Sequence, residues 1–297
     1  MGKIVMNEEQ VSSRNKFLKK IGKGEYKLVE NKCLCGGERD LIIADKDRYD
    51  IPVTTVMCME CGLVRSNPYY DEKTLKSFYK NEYRQIYSGS KKAKDVFFEE
   101  QVMIGKKIIK YIEKSTKELV DEKIVFEVGC GAGGILKAFQ NRRCQVFGCD
   151  FGNEYLQKGK KEGIELVEGD SSVLRSFGKA DIVVLNHVLE HFLNPVTELK
   201  KISSLLKPSG ILYVAVPGLL HHRKSYGSLR WYLQNAHVYS FYLSSLEYVL
   251  NKAGFRKISG SEKIKSIFVE DKSVRIKERS VLQKVLIYLF LKLSYKL

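Results

Sequence analysis

The feature that most constrains the fold is a regular alternation, from Lys123 onward, of short apolar runs with segments of helical pattern. The runs are rich in Val, Ile and Leu and are bounded by Gly or Asp, which is typical of strands buried on both faces of a parallel sheet. The segments between them are long enough for helical crossovers, so the pattern predicts a doubly wound α/β fold. The predicted strands are Lys123–Val128, Gln145–Asp150, Glu165–Glu168, Asp181–Asn186, Ile211–Val216 and Ser266–Glu270, with a late helix over Ser244–Ala253.

A glycine-rich turn follows the first predicted strand, where Glu127 to Gly134 reads EVGCGAGG. Glycines let the backbone turn tightly and approach a ligand, and the helix that begins near Gly134 offers free N–H groups. Asp150 ends the second strand 23 residues after Glu127, where a carboxylate can bind both hydroxyls of a ribose. The turn therefore predicts a nucleoside-binding site, and the alternative is a tight turn without a ligand.

The acidic residue at the end of the first strand distinguishes between two nucleotide cofactors. The dinucleotide fingerprint is Gly-x-Gly-x-x-Gly, and it places a pyrophosphate on the helix. Here Glu127 stands two residues before Gly129, and its carboxylate would repel a pyrophosphate. The same carboxylate can accept hydrogen bonds from the ammonium of S-adenosylmethionine (SAM), which has no phosphate. The sequence therefore favours SAM.

On these residues, the segment from Lys123 to about Glu270 resembles a class I SAM-dependent methyltransferase. The resemblance implies a seven-stranded, mostly parallel sheet, with SAM lying across the C-terminal ends of the strands. It also implies cofactor contacts from the glycine-rich turn, the ribose acid and the ends of the neighbouring strands. The implied cofactor-binding residues are Glu127, Gly129, Cys130, Gly131, Gly133, Asp150, Phe151, Asp170, Ser171 and Asn186.

The segment His187–His191 (HVLEH) directly follows the fourth predicted strand, where methyltransferases meet their acceptor. Its His-x-x-Glu-His pattern also occurs in zinc peptidases, but their fold context differs. Related Glu-His segments occur in ubiquinone-pathway O-methyltransferases, and that resemblance suggests a divalent metal, although His187 stands where those proteins have an acidic residue. Because histidine is a natural proton acceptor near neutral pH, His191 is predicted to be catalytic and His187 and Glu190 to contact the substrate. The alternative for His191 is packing and capping of the strand.

A second acceptor-side segment precedes the late helix. Asn235–Phe241 (NAHVYSF) resembles a segment of small-molecule methyltransferases in which a histidine faces the active site. The resemblance implies a catalytic role for His237 and places Tyr239 near the substrate. The basic loop Pro217–Tyr232 is predicted to bind a phosphate through residues such as Arg223, and a solvated lid is the alternative.

Four cysteines near the N-terminus form two close pairs, Cys-x-Cys and Cys-x-x-Cys, separated by 22 residues. Cys33, Cys35, Cys58 and Cys61 suit a tetrahedral zinc site, which would stabilise a module too small to have a sufficient core of its own. The alternative is four unligated thiols. The other three cysteines are predicted to pack in the core.

A cysteine module followed by a SAM-binding domain resembles the sugar C-methyltransferases, which carry an N-terminal zinc-binding domain and modify nucleotide-linked sugars. That resemblance implies that the Tyr-rich segment helps to close the sugar site. Tyr79 and Tyr83 are therefore candidates for substrate binding, and a helix face packed on the neighbouring domain is the alternative. The expected domains are residues 1–90, 91–270 and 271–297, and Ser88–Lys94 is the linker candidate.

The chain is strongly basic, with 51 Lys+Arg, 35 Asp+Glu and a net charge of +16. Half of the excess lies in Asn251–Leu297, which has 12 basic and 4 acidic residues. An anionic partner is expected, and a phosphorylated substrate, nucleic acid or anionic lipid would each satisfy the charge. The segment Val281–Leu297 is too short and too charged for a membrane span. It is predicted either to dock as a helix, on its own protein or in a dimer, or to lie in a membrane surface with its lysines toward the headgroups.

The sequence therefore predicts a zinc-containing SAM-dependent methyltransferase that acts on a sugar or a nucleotide-linked sugar in glycan biosynthesis. Ribosomal RNA methyltransferases also combine a zinc module with a SAM domain, so an RNA methyltransferase is the alternative. A non-enzymatic glycan- or membrane-binding module is disfavoured by the intact pair of Glu127 and Asp150. The absence of a signal-peptide pattern leads us to expect a cytoplasmic protein that is peripheral to the membrane at most.

Overall fold

The computed structural model describes residues 6–89, 93–276 and 279–296. The helices are α1 (Glu8–Gly22), α2 (Glu72–Phe78), α3 (Arg84–Tyr87), α4 (Asp95–Thr116), α5 (Gly134–Gln140), α6 (Asn153–Lys161), α7 (Pro195–Ser203), α8 (His222–Tyr226), α9 (Leu229–Tyr232), α10 (Leu243–Lys252) and α11 (Val281–Lys296). The strands are β1 (Leu28–Val29), β2 (Asp40–Lys46), β3 (Pro52–Cys58), β4 (Val64–Ser66), β5 (Tyr69–Tyr70), β6 (Ile124–Val128), β7 (Gln145–Asp150), β8 (Glu165–Glu168), β9 (Ala180–Asn186), β10 (Leu206–Ala215), β11 (Tyr239–Ser240), β12 (Phe255–Gly260) and β13 (Lys265–Glu270).

The largest sheet has seven strands in the order β12-β13-β10-β9-β6-β7-β8. Strands β6 to β10 are parallel, and β13 pairs antiparallel with both β10 and β12. This sheet confirms the predicted α/β fold class. Sequence reasoning placed the start of the fifth strand at Ile211, whereas β10 begins at Leu206 and pairs irregularly with β9 before Ile211. It also missed β12, which is an edge strand without a long apolar run.

Helices cover both faces of this sheet because its central strands are apolar on both sides. Helices α4 and α5 pack on one face, where the Cβ of an alanine at Gly105 would lie 2.7 Å from Ala138 Cβ. Residues of α7 and α10, including Leu199 and Leu246, belong to the buried cluster on the other face. Both layers leave the C-terminal edge of the strands open to other parts of the chain, and that edge carries the candidate site.

The N-terminal residues form a smaller sheet with the order β11-β4-β3-β2. Its edge strand β11 comes from the connection between β10 and β12, two strands of the large sheet, and Arg65 in β4 pairs with Tyr239 in β11. The buried Arg65 guanidinium donates two hydrogen bonds to Asp40, at 2.9 and 2.8 Å, and its Nε donates to Asn31 O at 2.7 Å. The small sheet therefore combines strands that precede the large sheet with one strand from a connection within it. The predicted boundary near residue 90 lies outside the described residues, and the domain division remains a prediction.

The C-terminal helix α11 docks on this small sheet. Lys284 Nζ donates to Glu60 O at 2.7 Å, and Lys292 Nζ donates to Ile42 O at 2.9 Å. The sequence had offered docking as one of two alternatives, and docking is what the structure has. In the docked helix, Lys284 and Lys292 bond to backbone oxygens of the module, whereas the membrane alternative had the lysines toward the headgroups. Within the described ranges, no helix combines the length and apolar character needed to cross a membrane.

We expect Gly159→Ala in α6 to destabilise the fold. An alanine Cβ there would lie 2.4 Å from both Ala132 O and Leu166 Cδ1, so α6 would have to move away from the glycine-rich turn. Such overpacking costs about 1–3 kcal/mol, measurable by urea unfolding. Gly22→Ala is the control, because no atom lies within 4 Å of its Cβ position. Equal stability of the two variants would contradict this packing.

Candidate active site

The glycine-rich turn is held against the neighbouring strand by backbone hydrogen bonds. The N–H groups of Gly129 and Cys130 donate to Cys149 O at 2.8 and 3.0 Å. Gly129, Gly131 and Gly133 have φ values of 71°, 54° and 75°, a region that is costly for residues with a Cβ. At Gly129 a Cβ would also lie 2.4 Å from Val188 Cγ2. The turn therefore requires glycine for both conformation and space.

Glu127, at the end of β6, is buried, and its Oε2 has no hydrogen-bond partner among the described residues. Burial raises the pKa of this carboxyl well above its usual range, and the nearby Asp150 acts in the same direction. A buried polar atom without a partner is costly, so such a group is expected to have one when a ligand is present. An ammonium would supply both the charge and the donors, so the site fits the methionine end of SAM.

Asp150 lies at the end of β7, with both carboxylate oxygens engaged. Oδ2 accepts from Gly131 N at 2.9 Å, and Oδ1 accepts from Gly152 N at 2.7 Å. Arg84 Nη2 also donates to Oδ1, at 3.0 Å, and its guanidinium lies 3.7 Å from the ring centroid of Tyr155. Sequence reasoning missed Arg84, because no sequence pattern shows that α3 approaches the end of β7.

The other predicted cofactor residues lie at the same edge of the sheet. Phe151 follows β7 and is 57% exposed, so its ring is available to stack on a base. Asp170 follows β8 and accepts from Ser172 N at 2.9 Å, which makes it the cap of the turn Ser171–Phe177. Ser171 is buried with an unpartnered hydroxyl, and Asn186 ends β9. Their assignment to the cofactor remains a prediction.

The acceptor-side candidates Glu190, His191 and His237 form one cluster. Glu190 and His191 lie in the short 3₁₀ turn Leu189–His191 after β9, and the imidazole rings of His191 and His237 are 5.0 Å apart. Glu190 Oε1 lies 4.0 Å from His191 Nε2. One ligand atom from each of the three residues lies within 4.8 Å of the others. The cluster could bind one metal ion or move a proton.

The hydrogen bonds of His191 determine which ring nitrogen is available. Its Nδ1 lies 2.9 Å from Ala236 O and 2.7 Å from the Tyr79 hydroxyl. A carbonyl oxygen only accepts, so the contact with Ala236 places the proton on Nδ1 and leaves Nε2 as an acceptor. Burial lowers the pKa of His191 below its usual value, although Glu190 acts in the opposite direction.

Two neighbouring groups in this cluster are buried without partners in the described chain. Both carboxylate oxygens of Glu190 and the Nδ1 atom of His237 make no hydrogen bond. Burial lowers the pKa of His237 well below its usual value, and the nearby His191 contributes in the same direction. His187 has φ 57°, and its Nδ1 lies 3.5 Å from Glu190 Oε1, but its side chain is 54% exposed. His187 therefore lies at the rim of the cluster.

The Tyr-rich segment covers the cluster from the other side. Tyr79 and Tyr83 lie in a π-helical turn between α2 and α3, and their rings are 5.6 and 5.5 Å from the His191 ring. Burial raises the pKa of Tyr83 to about 12. Both tyrosines are thus adjacent to the predicted catalytic histidine, which is the placement that the sugar-site prediction requires.

Two predicted substrate-binding residues are placed differently. Arg223 in α8 lies over the ring of Phe290 in α11, at 5.5 Å. Tyr239 is buried in β11, and its hydroxyl donates to Leu193 O at 3.4 Å. In contrast, sequence reasoning missed Arg48, whose guanidinium lies 5.1 Å from the Tyr49 ring and 5.4 Å from the Tyr87 ring. No motif distinguished Arg48 from the other basic residues.

The four N-terminal cysteines converge. Cys33 Sγ lies 3.4 Å from Cys61 Sγ and 3.5 Å from Cys35 Sγ, and Cys35 Sγ lies 3.6 Å from Cys58 Sγ. Tetrahedral zinc–thiolate bonds of 2.3 Å would place the sulfur atoms about 3.8 Å apart. Gly36 and Gly62, with positive φ, form the turns beside the two pairs. The donor set and its dimensions fit a zinc ion.

The fold and the turn between β6 and α5 are those of a SAM-binding methyltransferase domain. A family described as "Methyltransferase domain" matches residues 99–259, which is more than half of the chain, and the chain belongs to this family.

Similar proteins include ubiquinone biosynthesis O-methyltransferases. The one from Colwellia psychrerythraea is 27% identical over 97 residues, which are 30% of this chain and 39% of that protein. The one from Vibrio campbellii is 29% identical over 112 residues, which are 35% and 47% of the two chains. The chain thus spans less than half of these relatives. Among solved structures, a SAM-dependent methyltransferase from Archaeoglobus fulgidus is 18% identical, with a TM-score of 0.44 over 59% of this chain and 73% of that one.

We expect Asp150→Asn to weaken SAM binding. The variant loses the charge that would hold the ribose hydroxyls, and hydrogen bonds to charged groups contribute about 1.5–3 kcal/mol. The dissociation constant measured by calorimetry should rise roughly 10- to 100-fold. Glu165→Gln, at the opposite end of the adjacent strand β8, is the control. Unchanged affinity in Asp150→Asn would refute the ribose assignment.

Proposed function

We propose that the protein transfers the methyl group of SAM to a small acceptor, a sugar or a nucleotide-linked sugar used in glycan biosynthesis. One observation carries this proposal: His191 is contacted from two separate parts of the chain, by Tyr79 on one side and by His237 on the other. An acceptor site enclosed in this way suits a small molecule. An RNA methyltransferase would instead need an open face with basic and aromatic residues along it.

The loop that carries His237 is fixed by the N-terminal module. Ser66 Oγ donates to His237 O at 2.9 Å, and the Tyr69 hydroxyl donates to Asn235 O at 3.0 Å. The Tyr70 hydroxyl donates to Asn235 Oδ1 at 3.0 Å. Because the module determines where His237 lies, it belongs to the acceptor site. This arrangement supports the resemblance to sugar methyltransferases with an N-terminal zinc-binding domain.

SAM, when bound, supplies an electrophilic methyl group on its sulfonium. The residues of the cluster would prepare the acceptor by removing a proton from its O–H or acidic C–H group. His191 Nε2 and the unpartnered nitrogen of His237 are the available bases, and Glu190 would stabilise the imidazolium that forms. Tyr79 and Tyr83 would exclude water and orient the acceptor, so that proximity supplies much of the rate.

The module is proposed to contain a structural zinc ion. The four sulfur atoms lie close enough for tetrahedral coordination. Zinc would fix the loops that precede β2 and β4 and would thereby support the strand that pairs with β11. Its contribution is structural, because the four cysteines satisfy its coordination without an open position.

A phenolic acceptor is the second candidate function. It is favoured by the names of the similar proteins, which are O-methyltransferases of ubiquinone biosynthesis, and by the tyrosine rings around His191, on which an aromatic acceptor could pack. The same cluster would then remove a phenolic proton. Methyl transfer from labelled SAM distinguishes this candidate from the other two, because the label would appear in a phenolic compound and not in a sugar or in RNA.

We expect Glu190→Gln and His237→Gln to lower methyl transfer from labelled SAM at least about 100-fold, because each removes a group that takes up or stabilises the acceptor proton. SAM affinity should be unchanged, since neither residue lies in the cofactor turn. The acceptor panel contains nucleotide sugars, catechols and ribosomal RNA. Glu99→Gln, exposed on α4, is the control.

Label in a nucleotide sugar, lost in both variants and kept in the control, is the expected result. Label in a catechol alone would establish the second candidate. Label in RNA alone would overturn the small-molecule proposal. Full sugar methylation in both variants would show that the cluster is not required for the reaction, and the acceptor would still be a sugar.

We expect the purified protein to contain about one zinc ion per chain, measured by elemental analysis. Cys58→Ser/Cys61→Ser should lose the metal and lower the melting temperature, because binding free energy of structural zinc is folding free energy. Cys144→Ser, in which the altered thiol lies near Val120 O, should retain it. Metal-free protein with an unchanged melting temperature after chelation would refute the zinc site.

A further inference from the structure

The C-terminal helix α11 has a row of exposed leucines on the side away from the module. Leu282, Leu286, Leu289 and Leu293 are between 48% and 67% exposed, and their spacing of four, three and four residues places them on one helix face. The opposite side contains Leu291, which is fully buried. The protein therefore buries one side of α11 and leaves a second apolar side uncovered.

The charge around this row is positive and is not neutralised by the helix itself. From Lys272 to Leu297 the chain has seven basic residues and one acidic residue, a net charge of 7 − 1 = +6. No acidic residue occurs after Glu278. An apolar row with this charge favours an anionic, apolar partner over a second copy of the same helix, which would bring like charges together.

Lys284 and Lys292 are held by backbone oxygens in the docked arrangement and not by acidic side chains. Lys284 and Lys292 donate to the carbonyl oxygens of Glu60 and Ile42, and in the described part of the chain no carboxylate lies within ion-pair distance of either. The acidic contact of the helix is at its C-terminal end, where Tyr295 donates to Asp45 Oδ1 at 2.8 Å. The module thus holds Lys284 and Lys292 through backbone carbonyl groups. Because a carbonyl group carries no net charge, these contacts do not neutralise the excess of basic residues in this segment.

The helix is also held in a defined orientation. Tyr288 and Lys292 both donate to Ile42 O, at 3.4 and 2.9 Å, at the edge strand β2. Ile42 itself is 55% exposed, so an additional apolar side chain lies on the strand beside the helix. Because the helix is already folded and fixed on the module, its leucines lose little conformational entropy when they bind a partner.

We propose that α11 binds the surface of an anionic phospholipid membrane, with the leucine row inserted at the boundary between headgroups and acyl chains. Amphipathic helices that lie in this boundary combine an apolar face with nearby cationic residues. The orientation differs from the membrane alternative expected from sequence, since Lys284 and Lys292 bind the module and the leucine row faces the lipid. The proposal concerns where the protein lies and does not depend on the acceptor.

The test is co-sedimentation of the full chain with vesicles of phosphatidylcholine alone and of phosphatidylcholine with about one third phosphatidylglycerol. Binding is expected only to the anionic vesicles and should weaken as salt is raised, because screening shortens the reach of the charges. Leu286→Ser/Leu289→Ser should lower the partition coefficient at least about tenfold. Leu119→Ser/Met103→Ser removes two comparably exposed apolar residues elsewhere and should leave it unchanged. SAM binding by all variants reports that they are folded.

Three outcomes would overturn the proposal. Absence of binding to anionic vesicles would exclude the membrane as the partner. Equal losses in the two double variants would show that the leucine row has no special role. A dimer in sedimentation velocity that dissociates in Leu286→Ser/Leu289→Ser and does not bind vesicles would assign the row to a second copy of the chain.

Discussion

The pairing of strand β4 with strand β11 connects the first part of the chain to the acceptor side of the methyltransferase fold. β11 follows the loop that carries His237, so the position of this histidine depends on a sheet whose other strands lie before residue 70. The buried pair of Arg65 and Asp40 supports the same sheet. Loss of one partner of a buried pair typically costs 3–5 kcal/mol, against a total stability of about 5–15 kcal/mol. We therefore expect unfolding of the N-terminal module to displace His237 and so to disrupt the acceptor site.

The site contains buried carboxyl groups to which the described part of the chain gives no hydrogen-bond partner. Glu127 on the cofactor side and Glu190 on the acceptor side both have carboxylate oxygens without partners in the described chain. Groups of this kind reduce stability, and folded proteins retain them mainly where a ligand or a reaction requires them. The two carboxylates mark the two ends of the proposed reaction, one suited to the ammonium of SAM and the other to the proton of the acceptor.

A short segment connects these two ends. Tyr79, in the π-helical turn, contacts His191, and Arg84, at the start of α3, pairs with Asp150. π-Helical turns are often found at functional sites. In the proposed function, the ribose hydroxyls of SAM would approach the carboxylate that Arg84 contacts, and Tyr79, five positions earlier, lies beside the acceptor-side histidine.

The sequence by itself determined the central sheet, the glycine-rich turn and the cysteine pairs. Each is encoded locally: a buried parallel strand needs a continuous apolar run, the turn at Gly129 needs a residue without a Cβ, and paired thiols are recognised by their spacing. On the acceptor side, the sequence indicated single candidate residues but not their contacts, such as that of Arg223 with the Phe290 ring.

Only the tertiary structure decided which distant segments meet. Arg84 beside Asp150, Arg48 beside Tyr87 and β11 beside β4 all join residues that are far apart in the chain. No local pattern encodes such pairs, because they result from packing two sheets and their helices around a common core. The same holds for α11: its repeat indicated an amphipathic helix, but the side that faces the protein is the one where Leu291 is buried and Lys292 meets the Ile42 carbonyl at the edge of β2.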